Sequence, residues 1–182
     1  MRKIIISEMV SVDGYFAGVD GDISWHVVDE DFNKYASEML SNVDLIIFGK
    51  TTYDLMASYW PLPEAAKNDP QAIADFMNTL PKLVFSKSME RAEWAHTAVA
   101  HEINKDVILE MKQQEGKDMV IFGSGTIVQQ FAKLGLIDEY RIIVAPVVLG
   151  KGKALFDEKM DLKLIDSKQL ACGDVILRYE PK

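Results

Sequence analysis

Short apolar runs, each followed by a segment of helical period, set the order of this chain. The first run covers residues 3–10 and opens with Ile4, Ile5 and Ile6. Others fall at 43–48, 83–85 and 119–122, and a longer one at 140–148. Consecutive β-branched and apolar positions fit strands buried on both faces. Between the first two runs, Phe32, Tyr35, Ala36, Met39 and Leu40 recur at the spacing of an amphipathic helix. Asp29, Glu30 and Asp31 occupy its first turn, where the helix dipole favours carboxylates. Further helices are predicted over 51–58, around 71–77, around Val107, Ile108 and Met111, and along Ile127, Val128, Phe131 and Leu134. A weak strand is expected over 97–101. Strands alternating with helices predict βαβ units and a mostly parallel sheet.

The pattern changes near the end. Residues 163–170 and 175–179 read as an antiparallel pair closing around Gly173-Asp174. The predicted architecture is therefore one three-layer α/β/α domain over 1–182. Its central sheet is mixed, mostly parallel, with an antiparallel C-terminal edge. A chain of 182 residues can bury roughly 70% of the surface it exposes when unfolded, enough for a full core. Residues 11–28 hold Gly14, Gly18 and Gly21 among aspartates and are expected as a mobile surface loop.

Twenty Lys and Arg against 28 Asp and Glu give a net charge of −8. That balance disfavours a general nucleic-acid or anionic-membrane surface, so an anionic ligand needs a small local site. No run approaches the roughly 20 apolar residues that cross a bilayer, and the apolar start is too short for a signal core. With a lone Cys172, these features lead us to expect a cytoplasmic protein.

Two strand-to-helix junctions have the residue types of such a site, Phe48-Gly49-Lys50-Thr51-Thr52 and Phe122-Gly123-Ser124-Gly125-Thr126. Free N–H groups and the positive end of a helix dipole meet at each, which suits a pyrophosphate. The glycines alternatively serve only tight turns and close strand–helix packing. Neither junction completes a GxGxxG or GxxxxGK[ST] motif. Ser86-Lys87 after the third strand could add a hydroxyl and an ammonium for a phosphate, or be a solvated loop, and Gly150-Lys151-Gly152-Lys153 leaves the same choice. Asp31 borders the apolar face of its helix, where partial desolvation would suit proton delivery. Trp25-His26 could line the same cleft or anchor a loop. His96 and His101 lack partners at metal spacing, so no metal site is expected. The absence of Gly-x-Ser-x-Gly argues against a serine hydrolase elbow.

In this order the motifs resemble the dihydrofolate-reductase-like superfamily across nearly the whole chain. Trp25 followed by Asp31-Phe32-x-x-Tyr35 is similar to its loop tryptophan and acidic helix. Phe48-Gly49-Lys50-Thr51-Thr52-Tyr53 resembles its cofactor segment with lysine for arginine, as Ser86-Lys87 resembles its Ser-Arg. Gly123-Ser124-Gly125-Thr126 resembles its Gly-Gly loop with serine in place of the second glycine. Ser11-Val12-Asp13-Gly14 and Pro146-Val147-Val148-Leu149-Gly150 resemble the reductase domain of bifunctional riboflavin-biosynthesis proteins, with no deaminase half.

The resemblance implies hydride transfer from NADPH to a C=N or C=O carbon of a pteridine or pyrimidine-sugar substrate, and a homodimer. By the same resemblance, Asp31 orients the heterocycle and assists its protonation. Asp13 binds a substrate hydroxyl, and Trp25 and Tyr53 wall the cleft. Gly49, Lys50, Thr51, Thr52, Ser86, Lys87, Gly123, Ser124, Gly125 and Thr126 hold the cofactor. Two alternatives remain: dihydrofolate reductase proper, and a nucleotide-binding regulatory protein without turnover, for which the changes at Lys50, Lys87 and Ser124 leave room.

Overall fold

The computed structural model describes residues 1–182. Its principal sheet has eight strands in the order β5-β4-β3-β6-β1-β7-β10-β9. The ranges are β1 Ile4–Ser11, β3 Val43–Gly49, β4 Lys82–Phe85, β5 Thr97–Ala100, β6 Asp118–Phe122, β7 Glu139–Ala145, β9 Leu162–Gln169 and β10 Val175–Pro181. All ladders from β5 to β7 are parallel, while β10 runs antiparallel to both β7 and β9. The expected sheet, with its antiparallel C-terminal edge, is the one observed.

Every residue of β1 is buried, as its double-sided apolar run demands. Side chains alternate across the sheet and feed two cores. One core gathers Met9, Phe48, Val84 and Val120 under α1 (Glu30–Ser41) and α4 (Gln71–Thr79). The other gathers Ile4, Ile6, Val10, Ile47 and Ile121 under α5 (Lys105–Gln113) and α6 (Gly125–Lys133). Helices therefore cover both faces, giving three layers. β9 has no helix over it: Leu164 and Ile165 are exposed along it.

Side chains cap the starts of the parallel strands, beside a cavity of about 430 Å³ lined by Lys3, Tyr35, Asp118, Glu139, Arg141 and Arg178. Asp118 accepts the Lys3 N–H and Asp138 the Ile4 N–H, each at 2.8 Å. Asp138 also pairs with the nearly buried Lys112. Arg141 and Arg178 lie opposite each other on β7 and β10, and Glu139 separates the two like charges by accepting from both, at 2.7 and 2.9 Å. Salt bridges and strand caps thus commit this edge to holding the sheet together.

Three elements depart from the sequence expectation. The glycine-rich stretch over 11–28 contains β2 (Tyr15–Ala17), paired antiparallel with β8 (Lys153–Ala154), so it is anchored where a mobile loop was expected. At Gly152 a Cβ would fall on the Ala17 carbonyl oxygen, so glycine allows the two segments to meet. The polar stretch before α4 carries a short α3 (Pro63–Asn68) with proline at its start, where a missing N–H costs nothing. β7 stops at Ala145 because Pro146 cannot donate to the ladder.

Phe131 on α6 is fully buried and meets Phe85 edge-to-face at 5.7 Å. Phe131→Ala is expected to cost about 3–5 kcal/mol in chemical denaturation. A loss below about 1 kcal/mol would show that the second core is not packed as described.

Candidate functional site

Parallel pairing sends the ends of β1, β3, β4, β5 and β6 to one edge, opposite the salt-bridged one, where ligands of open α/β sheets bind. Two helices start directly from strand ends there, α2 (Lys50–Ala57) after β3 and α6 after β6, and α1 and α5 also begin on this side. Neither α2 nor α6 has a side-chain cap or an acid in its first turn. The contrast with α1 and α5 is chemical. Asp29 caps α1 through the Phe32 N–H, Asn104 caps α5, and both have first-turn acids. The first N–H groups of any helix lack partners inside it. At α2 and α6 that positive potential is left uncompensated at the strand ends.

Ser124 fastens the two junctions together. Its Oγ accepts the Gly49 N–H at 2.7 Å and donates to Thr52 Oγ1 at 2.7 Å, from a left-handed backbone at φ 63°. Here lies the reason for serine where the resembled loop has glycine: the hydroxyl joins segments 75 residues apart. The glycines serve close packing as well. A Cβ at Gly123 would lie 2.8 Å from Thr52 Oγ1, one at Gly125 2.6 Å from Phe16 Cε1, and one at Gly49 2.9 Å from Ile127 Cγ1. The Gly49 N–H is thereby engaged, so the anion donors that remain include the first N–H groups of α2 and α6.

The other expected cofactor residues surround this pair. Lys50 is exposed and ion-paired with Asp54 one turn along α2, a pair worth little against a competing phosphate. Thr51 is exposed and Thr52 half-buried; Thr126 is exposed at the start of α6. Lys87 is exposed after β4. Ser86 is buried: its Oγ accepts the Ser88 and Met89 N–H groups at 3.3 and 3.1 Å, and its hydroxyl proton is still free to donate. His101, which the sequence reading considered only as a metal ligand, bonds the Ser86 carbonyl through Nδ1 at 2.9 Å.

The expected substrate residues divide. Trp25 is half-buried against the α1 core, with Nε1 donating to the Asp22 carbonyl at 3.2 Å and its ring edge-on to His26 at 4.3 Å. Burial holds the His26 imidazole below its ordinary pKa. Asp31 lies on the rim of the α1 N-terminus, where its carboxylate accepts the Ala171 N–H at 3.2 Å. The side chain is exposed, contrary to the partial desolvation expected of it.

Tyr53 departs from its expected place at the cleft wall: it is 4% exposed, with its hydroxyl accepting the Trp94 N–H at 3.0 Å. It lines a separate cavity of about 730 Å³ between α2, α4 and residues 89–95. Asp13 is committed too, its two oxygens accepting from Leu149 and Gly150 at 3.1 and 2.7 Å. The Ser11 hydroxyl, with those N–H groups, lowers its pKa. In this structure the carboxylate holds the turn after β7, where a substrate hydroxyl was expected.

Two buried acids escaped the sequence reading. Asp174, in the β9–β10 turn, is fully buried with neither oxygen hydrogen-bonded, and burial raises its pKa, with Asp29 adding to the effect. Glu8 on β1 is 8% exposed with Oε2 unpartnered. An acid sharing parity with Ile4, Ile6 and Val10 in a buried strand was the available signal for Glu8. Nothing in the Gly-Asp of a hairpin turn distinguished Asp174.

The model of the RibD C-terminal domain matches residues 2–177. The chain belongs to that family. Among relatives of this chain, Bacillus subtilis protein YyaP is 29% identical over 98% of this chain and 94% of its own length. Protein YwjB of the same organism is 32% identical over 92% of each. A structure from Shewanella sp. PV-4, described as a candidate riboflavin biosynthesis protein, superposes with a TM-score of 0.75 at 24% identity, covering all of this chain and 99% of that one. The Thermotoga maritima diaminohydroxyphosphoribosylaminopyrimidine deaminase/5-amino-6-(5-phosphoribosylamino)uracil reductase matches at TM-score 0.69 and 14% identity, with this chain spanning 57% of it. Acinetobacter baumannii RibD matches at 0.68 and 18%, over 58% of its length. At these identities the structures establish a common fold.

Ser124→Ala removes both the acceptor for the Gly49 N–H and the link to Thr52. We expect a loss of about 1–3 kcal/mol in urea unfolding. Ser124→Gly should recover part of it, because glycine tolerates the left-handed backbone. Unchanged stability in Ser124→Ala would contradict the fastening role.

Proposed function

We propose that this member of the RibD C-terminal domain family is an NADPH-dependent reductase. Its reaction would be hydride transfer to a C=N or C=O carbon of a pteridine or pyrimidine-sugar substrate, similar to 5-amino-6-(5-phosphoribosylamino)uracil reduction in riboflavin biosynthesis. One observation carries the reading. Two uncapped helix N-termini, free of first-turn acids, are bound side by side at the ends of a parallel sheet in a protein of net charge −8. Such a pair fits a pyrophosphate, and family membership supplies the reductase context.

The chain's own residues then divide the work. The first N–H groups of α2 and α6 hold phosphate oxygens, assisted by Thr51, Thr52 and Thr126. Lys50 exchanges Asp54 for phosphate, and Lys87, with the Ser86 hydroxyl, meets a 2′-phosphate. Gly49, Gly123 and Gly125 let backbone come close, and Ser124 fixes the spacing of the two helix starts. NADPH supplies the hydride when bound. Trp25 covers the heterocycle, and Asp31 orients it and assists protonation from the rim of α1. The unpaired β9 edge, with exposed Leu164 and Ile165, supports a homodimer. No helix is long and apolar enough to cross a membrane, and Cys172 is unpaired, which supports a place in the cytoplasm.

Titration with NADPH and NADH, followed by nicotinamide fluorescence, tests the cofactor, and saturable binding with preference for NADPH is expected. Lys87→Ala should weaken NADPH by roughly fivefold, about 1 kcal/mol, and leave NADH nearly unchanged. Equal loss for both would remove Lys87 from the 2′-phosphate. A second reading, nucleotide binding without turnover, draws on the engagement of Lys50 by Asp54 and of the Gly49 N–H by Ser124. Single-turnover hydride transfer to 5-amino-6-(5-phosphoribosylamino)uracil and related heterocycles separates the two. With an active substrate, Asp31→Asn should slow that step about 10²-fold or more, and an unchanged rate would remove Asp31 from the chemistry.

A further inference from the structure

We infer that Glu8 is a positioning residue for the phosphate loop at the start of α6: neutral, it leaves the Gly123 N–H to an incoming phosphate, and ionised, it takes that N–H and sets a negative charge behind the loop. The inference rests on the proposal that a dinucleotide binds at this edge.

The geometry comes from strand register. Ser7 pairs with Phe122 across β1 and β6, so the next step along brings Glu8 beside Gly123, where β6 ends. On its other side Glu8 pairs with Ile142 of β7, a residue of the core beneath α6. The carboxyl is 8% exposed, and its Oε2 has no hydrogen-bond partner. Gly123 and Ser124 are consecutive left-handed residues, at φ 57° and 63°, so the backbone beside this carboxyl is held in an uncommon conformation as it enters α6. A buried carboxyl with one oxygen unpartnered is costly where a leucine would pack, which calls for a reason beyond packing.

Burial pushes the Glu8 pKa up to about 8, with the Met9 and Gly123 N–H groups pulling it the other way. The titratable groups on the elements around it are Asp118 on β6, Glu139, Tyr140 and Arg141 on β7, Lys133 at the far end of α6, Tyr15 on β2 and Lys153 on β8. None of these sets the Glu8 pKa; burial and the two N–H groups do. The sign follows from linkage. A phosphate favours the neutral carboxyl, so binding is strongest below about pH 8 and takes up a proton above it. If only the neutral form binds, affinity for NADPH falls about thirtyfold from pH 7 to pH 9.5. Lys82 also titrates near 8, lowered by burial, but it lies at the start of β4, on the opposite edge.

The test is the dissociation constant of NADPH across that range for wild type and Glu8→Gln, with calorimetry at pH 8.5 in two buffers of different ionisation enthalpy. Wild type should lose about thirtyfold and take up most of one proton at pH 8.5. Glu8→Gln should bind with little pH dependence and without uptake. A flat wild-type profile, no proton uptake, or a wild-type slope retained in Glu8→Gln overturns the role of Glu8 while leaving NADPH binding intact. Absence of NADPH binding at every pH overturns the cofactor reading, and this inference with it. Should Glu8→Gln fail to fold, proton uptake by wild type decides alone.

Discussion

β1 is hydrogen-bonded in parallel to β6 on one side and to β7 on the other, and is buried along its whole length. Because every ladder from β5 to β7 is parallel, strand starts collect at one edge and strand ends at the other. The two edges receive opposite chemistry. Asp118, Asp138 and Glu139 close the first with charge-assisted bonds to Lys3, Ile4, Lys112, Arg141 and Arg178. At the second, α2 and α6 start with bare N–H groups and no first-turn acid, while α1 and α5 start there capped by Asp29 and Asn104. The uncapped starts of α2 and α6 offer an anion a local site at the strand ends of a protein with net charge −8.

The Ser124 hydroxyl turns two separate helix starts into one feature. It spends its acceptor on Gly49 and its proton on Thr52, so α2 and α6 begin at a fixed separation before any ligand arrives. Preorganisation of this kind lowers the ordering cost of binding. The cost is a serine in the left-handed region and glycines wherever the opposing segment comes within 3 Å of a would-be Cβ. The turn after β7 is treated alike: Asp13 clasps Leu149 and Gly150, tying the segment after β1 to the far side of the same edge.

Much of the fold could be read from periodicity, because buried parallel strands leave no polar face to confuse the pattern. β1, β3, β6 and the helical face of Phe32, Tyr35, Ala36, Met39 and Leu40 are the examples. The β2–β8 ribbon was not legible: strands of three and two residues carry no periodic signal, and their pairing depends on contact between positions more than 130 residues apart. At the site, the glycine and hydroxyl junctions could be located, but not the bond that joins them, since nothing local to residue 124 announces Gly49 and Thr52. Tyr53 was misplaced because its aromatic ring fits a cleft wall or a core equally well, and only the Trp94 N–H decides between them. Asp31 sits where helix geometry put it, on the rim, but exposure depends on the β9–β10 turn, which the helix pattern does not contain.

The claim on which the account turns is that the strand-end edge receives the dinucleotide. Amide ¹H–¹⁵N shift mapping during addition of NADPH tests it residue by residue. Saturable changes should concentrate in residues 49–52, 86–87 and 123–126, with the edge around Asp118, Asp138 and Glu139 undisturbed. Changes centred on that salt-bridged edge, or on the cavity beside Tyr53 and Trp94, would contradict it.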